Sequence, residues 1–213
     1  MVYDFDTKID RTSRNSAKWT LMKQITGMDD LIPLWVADMD FAVVPEVVEA
    51  LKERASHPIF GYTAFTEGYY TGLINWMEKR HGWKGVEKDW ILWSPGVVAG
   101  FSIAIQAYSQ PGDKILIQPP VYYPFMNQIR GTGRQIVENP LIDKGGYYEM
   151  DFEDMEKKID DRTKMIILCS PHNPIGRVWK KEELKKLAKI CEEKDILIIS
   201  DEIHNDLILG DIP

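Results

Sequence analysis

Two short segments near the C-terminus constrain the fold most. "TKMIILC" (163–169) and "ILIIS" (196–200) are apolar almost throughout, with none of the alternation of a half-exposed strand. A strand that is apolar on successive residues has both faces covered. Between them lies "KKEELKKLAKICEEKD" (180–195), whose apolar residues recur at helical spacing with lysines on the other face. Such a helix is the crossover that two parallel neighbouring strands require.

The same alternation extends upstream. "WILWS" (90–94), "KILIQ" (114–118) and "RQIVENP" (134–140) read as further strands. "GVVAGFSIAIQAYS" (96–109), a segment running through Ile129, and "DFEDMEKKI" (151–159) read as helices. Earlier still, "PEVVEALKERA" (45–55) has proline in its first turn, and "TEGYYTGLINWMEKRHG" (66–82) stops at Gly82. Residues 1–44 show no clear period. The expected fold class is α/β, a mainly parallel sheet flanked by helices. The expected division is an N-terminal segment, 1–44, followed by one large domain over 45–213.

Composition narrows the function. The 213 residues carry a net charge of −7 and no basic block, which disfavours a nucleic-acid partner. No apolar run approaches membrane-spanning length, so a soluble chain is expected. The N-terminus, "MVYDFDTKIDRTS", is acidic and polar, unlike a secretory signal. The two cysteines, Cys169 and Cys191, lack metal-like spacing and read as reduced thiols of a cytoplasmic protein. No metal site is expected.

In parallel sheets, ligands bind beyond the carboxyl ends of the strands. Four segments lie there. "SPGVV" puts a glycine where a chain turns into a helix, so the amides of Gly96, Val97 and Val98 can face an anion. An ordinary tight turn looks the same, and neither a dinucleotide nor a Walker fingerprint is present. In "PPVYYPF", Tyr122 can stack on a planar ligand or cover the core rim. In "SPHNPIG", proline-flanked Asn173 can donate to an anionic oxygen or serve a turn. In "SDEIH", Asp201 ends an apolar strand, where a carboxylate needs a partner. That partner can be a structural cation, a metal ion or a protonated ring nitrogen. Together, an anion grip, a stacking ring, an amide and a carboxylate match the phosphate, ring, phenolic oxygen and ring nitrogen of pyridoxal 5'-phosphate (PLP).

The motifs "WVADMDF", "FGYT", "SPGVV", "PPVYYPF", "CSPHNPIGRVW" and "SDEIHNDL" resemble those of the class I/II aminotransferase superfamily, PLP fold type I. "VADMDF" and "SDEIH" are similar to the MalY/PatB branch of cystathionine β-lyases. The resemblance runs from about residue 30 to the end. It implies that residues 1–44 hold part of a small domain and that 45–213 begin the PLP-binding domain. It places the amides of Gly96, Val97 and Val98 on the phosphate, Tyr122 on the ring, and Asn173 on the phenolic oxygen. Asp201 takes the ring nitrogen. His204 stands where many aminotransferases have a tyrosine bonding the phenolic oxygen. Tyr62 would reach the phosphate of a neighbouring subunit, which implies a homodimer with shared sites. Ala37 would present its backbone to the substrate carboxylate, near Tyr122 and Asn173. The family's Schiff-base lysine follows the aspartate and is absent from this chain, which therefore resembles an N-terminal half, inactive alone. The implied activity of the complete protein is C–S β-lysis of cystathionine or a related cysteine conjugate, giving a thiol, pyruvate and ammonia. An aminotransferase and a non-catalytic regulatory protein are the alternatives.

Overall fold

A computed structural model describes residues 3–28 and 30–210. The chain separates into two compact units, Met1–Lys84 and Gly85–Pro213.

The first unit begins with two short helices, α1 (Ala17–Thr20) and α2 (Met22–Thr26), in the region whose sequence lacks a clear period. They are too short for an apolar stripe to register. Helix α3 (Pro45–Ser56) starts on its proline. Helix α4 (Glu67–His81) ends at Gly82, which is left-handed at φ 66° and donates its N–H to the Glu78 carbonyl at 3.0 Å. Neither α3 nor α4 has a buried residue, and Val47, Leu51 and Leu73 are exposed.

The "VADMDF" stretch is anchored within this unit by charge. The Asp40 carboxylate accepts from the Trp19 indole at 2.9 Å, Lys18 Nζ at 3.1 Å and Arg11 at 3.1 Å. These bonds, that of Trp19 foremost, lower its pKa to about 2. Arg11 also pairs with Asp38, and Lys18 Nζ donates to the Asp38 carbonyl at 2.9 Å.

The second unit opens with a single 3₁₀ turn, Lys88–Trp90. The strand expected at "WILWS" is not formed. Ile91 is extended, yet the segment pairs with no described strand, and Leu92 and Trp93 stay exposed. An extended segment without a ladder partner has the dihedrals of a strand but not its hydrogen bonds.

The remaining elements follow in order. They are α5 (Val97–Tyr108), β1 (Lys114–Ile117), α6 (Pro124–Gly131), β2 (Gln135–Glu138), β3 (Ile142–Asp143) and β4 (Tyr148–Glu149). Then come α7 (Phe152–Lys158), β5 (Thr163–Cys169), α8 (Lys181–Glu193) and β6 (Leu197–Asp201). The small antiparallel β3–β4 pair has no counterpart in the sequence reading, because two-residue strands carry no period. The main sheet has the order β2-β1-β5-β6 and is parallel throughout.

Residue alternation along the strands builds two cores. Ile115, Ile117, Met165, Ile167 and Cys169 face Phe101 and Ile105 of α5 and Phe125 and Ile129 of α6. Leu116, Ile166 and Leu168 face Met155 of α7 and Leu187, Ile190 and Cys191 of α8. Both faces are covered, which is why these strands can be apolar at nearly every position. Helix α7 is capped by Asp151, whose carboxylate accepts the Asp154 N–H at 2.9 Å. Helix α8 is held at its start by Glu183, which accepts the Lys180 N–H at 2.8 Å and pairs with Arg177 at 2.6 Å.

Candidate active site

Because β1, β5 and β6 run in parallel, their carboxyl ends share one edge. β1 leads through Gln118–Pro120 to Tyr122, β5 leads into residues 170–177, and β6 ends on Asp201. The register sets Cys169 opposite Asp201, and the Ser170 N–H donates to the Asp201 carbonyl at 3.0 Å. The loops bearing Tyr122, Asn173 and Asp201 therefore meet at one end of the sheet.

Asp201 is only 6% exposed. One carboxylate oxygen accepts the Ile203 N–H at 3.2 Å, and no lysine or arginine among the described residues pairs with it. Burial pushes its pKa up. The Ile203 amide and nearby His204 oppose that shift, and Glu202 adds to it. An acidic group this enclosed, with a single neutral donor, is a ready acceptor for a cationic N–H.

Tyr122 is half-buried and stands edge-on to Phe125, with ring centres 5.8 Å apart. Its own pKa is raised by burial, then by Tyr123 and by the charge of Asp201, so the ring lies within the field of that carboxylate. Val98 and Tyr122 pack on the same apolar cluster as Ile199 of β6.

Gly96 caps α5 at φ 98° and ψ 157°, a backbone region essentially reserved for glycine. Its N–H donates to the Ser94 carbonyl at 2.8 Å, and the Gly100 N–H donates back to the Gly96 carbonyl at 3.1 Å. The amides without intrahelical acceptors are thus those of Val97, Val98 and Ala99. Among the described residues no side chain caps this helix start. Ala99 was not among the residues the sequence suggested. The helix register supplies it, since a glycine at the N-cap makes residues 97–99 the first turn.

Asn173 and His204 line one cavity of about 510 Å³, together with Pro171, Gly176 and Leu207. The Asn173 side-chain amide makes no hydrogen bond to a described residue, while its backbone N–H donates to the Cys169 sulfur at 3.4 Å. The Cys169 thiol donates in turn to the Pro171 carbonyl at 3.4 Å. Burial raises this thiol to about 11, so it is a neutral strut and not a nucleophile. Cys191 is likewise buried and raised to about 11.

Ala37 and Tyr62 belong to the first unit. Tyr62 is fully exposed. The lysines of α8 and its N-cap, Lys180, Lys181, Lys185, Lys186 and Lys189, are exposed. Lys114 opens β1 and pairs with Asp160 at the opposite end of the sheet. Among the described residues, no group of three His, Cys, Asp or Glu side chains is placed to hold a metal ion. No helix among them is long and apolar enough to cross a membrane.

The family model described as aminotransferase class I and II matches residues 29–212. The chain is 46% identical over 207 residues to cystathionine beta-lyase PatB of Bacillus subtilis, covering 97% of this chain and 53% of that protein. A PLP-bound putative aminotransferase from Clostridium difficile superposes with a TM-score of 0.93 at 44% identity, covering 100% of this chain and 55% of that one. Cystalysin from Treponema denticola, a structure that contains pyridoxal 5'-phosphate, superposes with a TM-score of 0.93 at 43% identity, covering 99% and 54%. The chain spans about half the length of the curated relatives it matches. Its motifs, its parallel sheet and these likenesses agree, and the chain belongs to the class I and II aminotransferase family.

Proposed function

We propose that the complete protein is a PLP-dependent C–S β-lyase acting on cystathionine or a related cysteine conjugate, and that this chain supplies much of its cofactor-binding half. The observation that carries the reading is Asp201, a buried carboxylate with no lysine or arginine partner among the described residues, set beside Tyr122 and the Asn173 loop. When bound, PLP supplies an electron-withdrawing ring that stabilises negative charge at the substrate Cα.

The chain's own residues do the rest. Asp201 accepts from the ring nitrogen and keeps it protonated. The Asn173 amide donates to the phenolic oxygen, with His204 beside it. Tyr122 covers one ring face. The amides at the start of α5 hold the phosphate, which the positive end of the helix favours. Ala37 presents its backbone to the substrate carboxylate. In this reading residues 1–44 belong in part to a small domain and 45–213 to the cofactor domain. The protein works in the cytoplasm as a homodimer, and the full exposure of Tyr62 suits its reaching a partner's phosphate.

The likeness to a putative aminotransferase favours transamination as the second reading. Incubation of the protein from its complete reading frame with cystathionine separates the two. Release of thiol and pyruvate without an added keto acid supports the lyase. Strict dependence on a keto acid refutes it in favour of the transaminase.

A further inference from the structure

His172 is 1% exposed, and neither the cofactor nor the substrate reading uses it. Its Nε2 lies 3.0 Å from the carbonyl oxygen of Pro120, two residues before Tyr122. A carbonyl only accepts, so Nε2 carries the proton. The backbone of His172 closes the turn that bears Asn173. Its N–H donates to the Arg177 carbonyl at 2.7 Å, and its carbonyl accepts the Gly176 N–H at 2.8 Å. The ring stands edge-on to Trp179, with centres 5.5 Å apart, and the Trp179 indole donates to the Cys169 carbonyl at 2.9 Å. The Arg177 guanidinium lies 4.6 Å over the other ring of this stack, that of Trp179.

One side chain therefore links the loop after β1 to the loop after β5. We propose that His172 is a positioning residue that locks the Tyr122 loop to the Asn173 turn and so fixes the spacing between ring stack and amide. The inference rests on the PLP reading above. Burial lowers the His172 pKa and the nearby Arg177 charge adds to this, against the carbonyls of Pro120 and Cys169, which raise it, so the ring stays neutral in this role. Its Nδ1 is buried and meets no hydrogen-bond partner among the described residues.

Two substitutions in the protein from its complete reading frame separate positioning from packing. His172→Phe keeps the ring and loses the donor. His172→Gln keeps an N–H at the ε position. In the apoprotein, hydrogen exchange of peptides covering 121–125 and 172–177 is expected to speed up about tenfold in H172F and to stay within about threefold of wild type in H172Q. The PLP dissociation constant is expected to follow the same order, raised about tenfold in H172F and restored in H172Q. If H172F does not fold, His172→Asn, whose amide is too short to reach Pro120, takes its place. Unchanged exchange in both loops overturns the link. Faster exchange with an unchanged PLP dissociation constant overturns its bearing on the cofactor. A wild type that binds no PLP sinks the cofactor reading itself, and the positioning role with it. Equal loss of affinity in H172F and H172Q reduces His172 to a packing residue.

Discussion

Asp201→Asn is expected to make the apoprotein more stable and the holoprotein weaker. In the wild type the carboxylate sits at 6% exposure with one neutral donor, the Ile203 N–H at 3.2 Å. An incompletely satisfied buried polar group costs about 1–3 kcal/mol, more when charged. Asparagine has the same shape, keeps the oxygen that Ile203 bonds, and removes the charge. A gain of about 1 kcal/mol is expected at pH 7, or about 2–4 °C in Tm for a domain of this size. The pH dependence has a definite sign. The folded pKa is raised, so the folded state holds its proton longer than the unfolded state does. Wild-type stability therefore falls as pH rises from the unfolded carboxyl value, about 3.9, through the folded one. The gap between the variant and wild type closes in acid and opens toward neutrality. With PLP the order reverses. A hydrogen bond to a charged group contributes about 1.5–3 kcal/mol, so the variant's dissociation constant rises about ten- to a hundredfold. Thermal melts of apo and PLP-loaded protein between pH 4 and 8, with a cofactor titration, measure both effects. An Asn variant that is less stable than wild type at pH 7 and binds PLP equally well refutes the argument.

Two other outcomes follow from local geometry. Gly96→Ala places a side chain in a backbone region only glycine tolerates, although the space around its Cβ is open. The variant should lose about 1–3 kcal/mol of stability in urea unfolding, and a loss below about 0.5 kcal/mol would show that the turn relaxes without strain. The lowered pKa of Asp40 means that its pairing with Trp19, Lys18 and Arg11 stabilises the first unit above the unfolded carboxyl value and is lost as pH falls through about 2. The Ile9 amide, which donates to the Asp40 carbonyl at 2.8 Å, should lose exchange protection over that range in the wild type, and an Asp40→Asn variant should show no such step.

Much of this architecture is legible in the sequence because it rests on local periods. "TKMIILC" declares a strand with two covered faces, while "ILIIS" forms its strand but not that burial: β6 ends the described sheet, Leu197 is exposed and Ile198 and Ile199 are half-buried. The lysines of α8 fall on its exposed side as the pattern requires. Gly82 stops α4 because left-handed backbone is local chemistry. "WILWS" has the residues of a strand, but a strand is completed by its neighbour, and no described strand lies beside it. Helices α1 and α2 and the β3–β4 pair are too short for any period to register.

The site divides the same way. The sequence by itself determined which side chains stand beyond the strand ends, since that needs only the strand boundaries and the parallel order. Only the tertiary structure decided their state. Asp201 is short of partners because the fold buries it at the end of β6, opposite Cys169 of β5, with one amide in reach. Gly96 spends its N–H on Ser94, so the free donors shift to Val97, Val98 and Ala99. His172 reads as one more residue in a turn, and its reach to Pro120 spans 52 positions along the chain. Burial, register and long-range contact are properties of the packed molecule, and no window of sequence contains them.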